Sequence, residues 1–124
     1  MSKQVFDPHP TVPLSRAVKA NGMLYLSGAV GTDPATGKVP GPDIESQTRQ
    51  TLENIKNTLE SLGSSMEKVV KSTVFLTNIA DFPRMNAVYA QYFPKDAPPA
   101  RSTVAVAALA RPELIVEIEV IALP

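Results

Sequence analysis

The sequence predicts an α+β fold in which one mixed β-sheet carries two helices packed on one of its faces. Three observations lead there. Asn21-Gly22 stands between two short runs, and both residues tolerate the positive φ of a type I′ hairpin turn. Two later stretches repeat apolar residues every three or four positions, the period of a helix buried along one stripe. The C-terminal run alternates with period two, as a strand does.

In chain order, residues 16–20 and 23–27 read as the two strands of the hairpin. Gly31 to Lys38 is rich in turn residues and reads as a loop. From Asp43 onward, Ile44, Thr48, Leu52, Ile55, Leu59 and Leu62 form one stripe on a helix of about five turns. Asp43 is placed to cap its start, and Gly63 to supply a left-handed stop. Val69 to Thr77 reads as a strand with Val69, Lys71, Thr73, Phe75 and Thr77 on one face. Val70, Ser72, Val74 and Leu76 fall on the other. Asp81 is expected to cap a second helix carrying Phe82, Met85, Val88, Tyr89 and Tyr92, ended by Pro94. Proline clusters at Pro8, Pro10 and Pro13, at Pro40 and Pro42, and at Pro94, Pro98 and Pro99 read as rigid connections.

Two closing strands are expected near 101–107 and 113–122. On the last, Leu114, Val116, Ile118, Val120 and Ala122 share one face, and Ile115, Glu117, Glu119 and Ile121 the other. A sheet covered by helices on one side has no need of apolar residues on its second side. Burial by another copy of the chain explains them, so a homo-oligomer is expected.

Length and composition bound the chemistry. The 124 residues suit a single domain spanning 1–124. Twelve basic and twelve acidic side chains give zero net charge, which argues against a general nucleic-acid binder. With no cysteine and one histidine, a disulfide framework, a thiol nucleophile and a Cys/His zinc site are excluded. No apolar run reaches the roughly 18 residues of a membrane span. Met1-Ser2-Lys3-Gln4-Val5 lacks the character of a signal or transit peptide, so a soluble, cytoplasmic protein is expected. Chemistry is left to arginine, lysine, carboxylates, hydroxyls, amides and backbone.

Four features bear on a site. Gly31 to Lys38 has the outline of a phosphate loop, but Pro34 removes a donor and Val39 stands where a hydroxyl is needed, so it reads as a turn. His9 has no second imidazole or thiol to work with and reads as a surface residue. Glu117 and Glu119 share a strand face about 7 Å apart. They form either an acid/base pair enclosed by Ile115 and Ile121 or a half-exposed polar stripe. Arg101 follows the stiff run Asp96-Ala97-Pro98-Pro99-Ala100. It is aimed either for bidentate capture of a carboxylate or for an ordinary salt bridge.

The tail Pro99-Ala100-Arg101-Ser102-Thr103-Val104, followed by Val116-Glu117-Ile118-Glu119-Val120-Ile121-Ala122, resembles the closing signature of the Rid family (YjgF/YER057c/UK114), the reactive-intermediate deaminases. Leu26-Ser27-Gly28, the stretch from Gln47 to Lys56, Val69 to Leu76 and Asn86-Ala87-Val88-Tyr89 extend the resemblance over nearly the whole chain. It implies a chorismate-mutase-like fold and a homotrimer with clefts between subunits. It also implies hydrolysis of 2-imino acids, such as 2-iminopropionate and 2-iminobutanoate, to 2-keto acids and ammonia, with no cofactor and no metal. These imines arise from enamines released by pyridoxal-phosphate dehydratases.

Carried over by position, the resemblance implies that Arg101 binds the substrate carboxylate and Glu117 orients or activates the attacking water. Ser27, Gly28, Asn86 and Thr103 line the cleft, and Glu119 is the lesser candidate for the acid. The chain also departs from the pattern. Val12-Pro13-Leu14-Ser15-Arg16 stands where members active on imines usually have Gly-Pro-Tyr-Ser-Gln, so Leu14 replaces a cleft tyrosine. Thr103 stands where many members have cysteine, and the loop Leu109 to Glu113 is one residue longer than is common. The lost tyrosine keeps a second function open, a trimeric binding protein for small carboxylates or 2-keto acids without turnover. Ribonuclease activity, reported around this family, fits poorly with zero net charge and no histidine pair.

Overall fold

The computed structural model describes residues 2–124. Among them the elements are β1 (Gln4–Pro8), β2 (Ser15–Ala20), β3 (Met23–Leu26), β4 (Ala29–Val30), α1 (Ile44–Ser61), β5 (Val69–Leu76), α2 (Phe82–Tyr89), β6 (Ala100–Ala105) and β7 (Val116–Ala122). The strands make one sheet in the order β1-β2-β3-β7-β5-β6, with β4 also lying along β7. β5 and β6 run parallel and the other pairs antiparallel, so the sheet is mixed as expected. Parallel neighbours need a crossover, and α2 is in it. Among the described residues no helix is long and apolar enough to cross a membrane.

The hairpin forms at the expected dipeptide, with φ of 52° at Asn21 and 75° at Gly22. The first helix also starts and stops where expected. The Asp43 carboxylate accepts the Ser46 amide at 2.9 Å, and Gly63 takes φ of 80° just past the end. That capping hydrogen bond holds the Asp43 pKa below the ordinary carboxylate value. Along the stripe Ile44, Thr48, Leu52, Ile55 and Leu59 are buried and Leu62 is half-buried. The apolar ones pack with Met85 and Tyr89 of α2 against Leu24, Val74, Leu76, Val116, Ile118 and Val120 of the sheet. Each large side chain buried there contributes roughly 1.5–3 kcal/mol. Both helices therefore cover one face.

Several local expectations are corrected. The proline-bearing N-terminus is not merely a connection, because β1 pairs with β2 from Gln4↔Lys19 to Pro8↔Ser15. Its proline is tolerated because the strand is at the sheet edge. β4 was not expected either. Tyr25↔Ile121 and Ala29↔Ile118 leave one more residue on the β3–β4 side than on β7, and the excess falls at the break Ser27-Gly28.

Val69 and Val70 exchange faces relative to the alternation expected for β5. A register shift between Val69 and Lys71 buries Val69 with Ser72, Val74 and Leu76 and exposes Val70. Asp81 does not cap the second helix: its backbone is already helical and its carboxylate pairs with Arg84 at 2.8 Å. That helix ends at Tyr89, before Tyr92 and Pro94. The last strand starts at Val116 instead of 113, and its buried face of Val116, Ile118, Val120 and Ala122, continued by Leu114, is the expected one.

Candidate functional site around Arg101 and Glu117

β6 places Arg101 beside Ser72 of β5. Ser72 is fully buried under α2, so the Arg101 side chain runs toward that helix. There Phe82, Asn86 and Tyr89 occupy one helical stripe at i, i+4 and i+7. Arg101 Nη1 donates to Asn86 Oδ1 at 2.7 Å. Its guanidinium carbon lies 4.6 Å from the centre of the Tyr89 ring and 5.5 Å from that of Phe82.

All three partners are neutral. The ion pairs among the described residues are Asp7–Arg16, Asp81–Arg84 and Glu113–Arg111, and Arg101 enters none. A half-buried guanidinium with neutral partners keeps its charge and a face of its donor fork for a ligand anion. It borders an open cavity of about 440 Å³ together with Asn86, Tyr89, Phe93, Pro98 and Pro99. Two residues along the same face of β6, the buried hydroxyl of Thr103 has no hydrogen-bond partner.

Glu117 belongs to the other face of the sheet. It neighbours Phe75 of β5 on one side and Val30 of β4 on the other. Its carboxylate lies directly over Gly28, where a Cβ would collide with it. Partial burial pushes the Glu117 pKa up from the usual value, and repulsion from Glu119 adds to the effect.

Two amides of α1 hold the strands on which this carboxylate depends. Asn54 Nδ2 donates to the carbonyls of Val30 at 3.1 Å and Thr32 at 2.8 Å. Gln47 is fully buried. It donates to Gly41 at 3.0 Å and Glu113 at 2.9 Å, and accepts from the Ile115 amide at 3.1 Å.

A second cavity, of about 400 Å³, is bordered by Leu14, Ser27, Gly28, His9, Arg16 and Asn54, among others. Ser27 Oγ donates to the Ser15 carbonyl at 2.6 Å, fixing the break between β3 and β4. His9 is exposed, as expected, but Nδ1 accepts the amides of Thr11 at 3.1 Å and Val12 at 2.9 Å, which shapes the loop leading to Leu14. The Gly31–Lys38 segment is a turn closed on itself, with Gly37 N donating to the Asp33 carbonyl at 2.7 Å.

The structure thus joins Arg101 with Asn86, Glu117 with Gly28, and Leu14 with Ser27 and Gly28. It does not bring Arg101 to Glu117 within one chain. Sequence reasoning overlooked Tyr89, Gln47 and Asn54 as parts of this arrangement. The spacing of Phe82, Asn86 and Tyr89 was a usable signal, since the arginine found on one of them must face the others. The polar interruption by Gln47 beside the apolar stripe was a second.

Comparisons with known proteins identify the family to which this fold belongs. The model of the domain described as Endoribonuclease L-PSP matches residues 6–124. A RutC family protein of Pyrococcus horikoshii is 46% identical over 115 residues, covering 93% of this chain and 90% of that protein. Reactive Intermediate Deaminase A, chloroplastic, of Arabidopsis thaliana is 46% identical over 97 residues, 78% of this chain and 51% of that one. A crystal structure of a Rid family protein from Yersinia pestis superposes with a TM-score of 0.92 at 44% identity, covering 99% of this chain and 100% of that one. With the single mixed sheet, its two helices and the matching tail, the chain belongs to the Rid (YjgF/YER057c/UK114) family.

Proposed function

We propose that the protein is a hydrolytic deaminase of reactive 2-imino and 2-enamino acids, acting as a homotrimer with its sites between subunits. One observation carries this reading: Arg101 is half-buried, oriented by Asn86 and two aromatic rings, and enters no ion pair among the described residues. A carboxylate presents two oxygens to such a fork and supplies the missing charge. Glu117 provides the second role. A carboxyl whose pKa is raised by burial and by Glu119 is a better base than an ordinary glutamate.

With the substrate carboxylate on Arg101 and the imine nitrogen protonated, a water oriented by Glu117 attacks the imine carbon. The C–O bond forms as the C=N π pair returns to nitrogen, and the Glu117 carboxylate takes the water proton. That proton passes to nitrogen, and the regenerated Glu117 carboxylate takes the hydroxyl proton as the C=O forms. The C–N pair leaves with nitrogen as ammonia, and the proton on Glu117 departs with it as ammonium. One water enters, and one ammonium and one 2-keto acid leave. Orientation of the two reactants accounts for much of the acceleration, because a protonated imine is already electrophilic.

Two copies suit the site better than one, since Arg101 and Glu117 face away from each other in a single chain. The half-buried Ile121 and the exposed Tyr25 and Val104 on the second face suit burial against further copies. The Arabidopsis relative, a reactive intermediate deaminase by name, supports the same chemistry. Substrates supplied by pyridoxal-phosphate dehydratases in the cytoplasm complete the proposal, with no nucleic-acid or membrane partner.

Leu14, exposed at the second cavity where the family pattern has a tyrosine, favours a second reading: a trimeric binding protein for small carboxylates or 2-keto acids. The deciding experiment follows keto-acid release from freshly generated 2-iminopropionate or 2-iminobutanoate. Faster release with protein is expected, and equal rates with and without it overturn the enzyme. Stabilisation by 2-ketobutyrate without turnover selects the binding protein.

A further inference from the structure

We propose that Tyr89 is a positioning residue for Arg101, holding the guanidinium flat for carboxylate capture, with Ser72 fixing the tyrosine ring. The inference rests on the reading of Arg101 as the carboxylate anchor. An arginine side chain has many rotamers, and the single hydrogen bond to Asn86 fixes one direction while leaving rotation about it. The Tyr89 ring, 4.6 Å from the guanidinium carbon, supplies the missing plane.

That ring is itself held at two points. Its hydroxyl is 2.6 Å from Ser72 Oγ, and the ring packs against Phe93 in a tilted pair, 35° between planes, with ring centres 4.5 Å apart. Ser72 is also the neighbour of Arg101 across the parallel β5–β6 pair. Anchor and support are therefore referenced to the same point of the sheet. A ring attracts a cation through its quadrupole without neutralising it, as a carboxylate would. The arrangement orients the charge and leaves it available.

The test compares the unsubstituted protein with Tyr89→Leu, Tyr89→Phe and Ser72→Ala, reading steady-state kinetics on 2-iminobutanoate and calorimetric binding of 2-ketobutyrate. Tyr89→Leu is expected to raise KM and the 2-ketobutyrate Kd by about tenfold, with kcat falling much less. Tyr89→Phe and Ser72→Ala, which keep the ring but release it, are expected to give a smaller rise of about two- to threefold. A loss confined to active fraction and kcat, with KM and Kd unchanged, overturns the inference and makes Tyr89 structural. If Tyr89→Leu fails to fold, the other two variants decide, and unchanged Kd in both overturns it. An unsubstituted protein that neither turns over imine nor binds 2-ketobutyrate overturns the anchor itself, an outcome visible before any variant is compared.

Discussion

Arg101 and Glu117 are carried by opposite faces of the same sheet: Arg101 beside buried Ser72, toward the helices, and Glu117 beside Phe75, away from them. If catalysis needs both, neither can complete a site with its own chain. Arg101→Ala and Glu117→Gln are each expected to be inactive alone. When the two are unfolded together in equal amounts and reassembled, about a quarter of the sites regain both groups, since each is contributed intact by half the chains. Recovery of imine hydrolysis toward that fraction is the expected result. A mixture as inactive as its parents contradicts shared sites.

Gly28 and Gly31 answer differently to the same added methyl. At Gly28 a Cβ meets the end of the Glu117 side chain, which can swing aside; at Gly31 it comes within 2.6 Å of the Gln47 backbone oxygen, which cannot. Gly28→Ala is therefore expected to keep its melting temperature and lose kcat as Glu117 is displaced. Gly31→Ala is expected to lose about 1–3 kcal/mol of stability by forcing α1 off the sheet. Urea denaturation and imine kinetics on both variants separate the two effects.

The raised pKa of Glu117 fixes the sign of two pH effects. Folding favours its protonated form, so the stability it contributes is present below the unfolded value and lost as pH rises through the folded one. Glu117→Gln is accordingly expected to melt higher than the unsubstituted protein at neutral pH, with the difference closing in acid. Activity is expected to run the other way. A base must be ionised, so kcat falls as pH drops through a midpoint above the ordinary glutamate value of 4.5. Thermal melts and a kcat profile across the acid range check both.

Gln47 has three hydrogen bonds concentrated in one buried amide. Gln47→Leu keeps the volume and strands the Ile115 amide together with the Gly41 and Glu113 carbonyls. A loss of about 2–4 kcal/mol is expected, measured by urea denaturation.

The hairpin at Asn21-Gly22, the stripe from Ile44 to Leu59 and the buried face of the last strand were legible because each depends on spacing a few residues apart. β1 and β4 were not, since nothing within Gln4–Pro8 or Ala29–Val30 announces partners found elsewhere in the chain. Val69 misled because a bulge breaks the strict alternation on which the reading relied. Asp81 misled because a carboxylate that suits a cap suits Arg84 as well. At the candidate site, the resemblance pointed to Arg101, Asn86, Gly28 and Glu117. Their division between two faces was beyond it, because that division depends on the register of β5 with both β6 and β7.

β5 and β6 are parallel, so the chain between them has to travel back along the sheet, and the helix that makes the return journey also carries Phe82, Asn86 and Tyr89. The surroundings of Arg101 thus belong to the wiring of the fold. An added residue within Phe82–Tyr89 turns the parts of the helix on either side of it by about 100° relative to each other. The ring and the amide then no longer face the same arginine. An added residue in the loop from Lys95 to Pro98 leaves the helical stripe whole. Length changes in this connection are tolerable in its loop and damaging in its helix, even though both pieces lie near the surface.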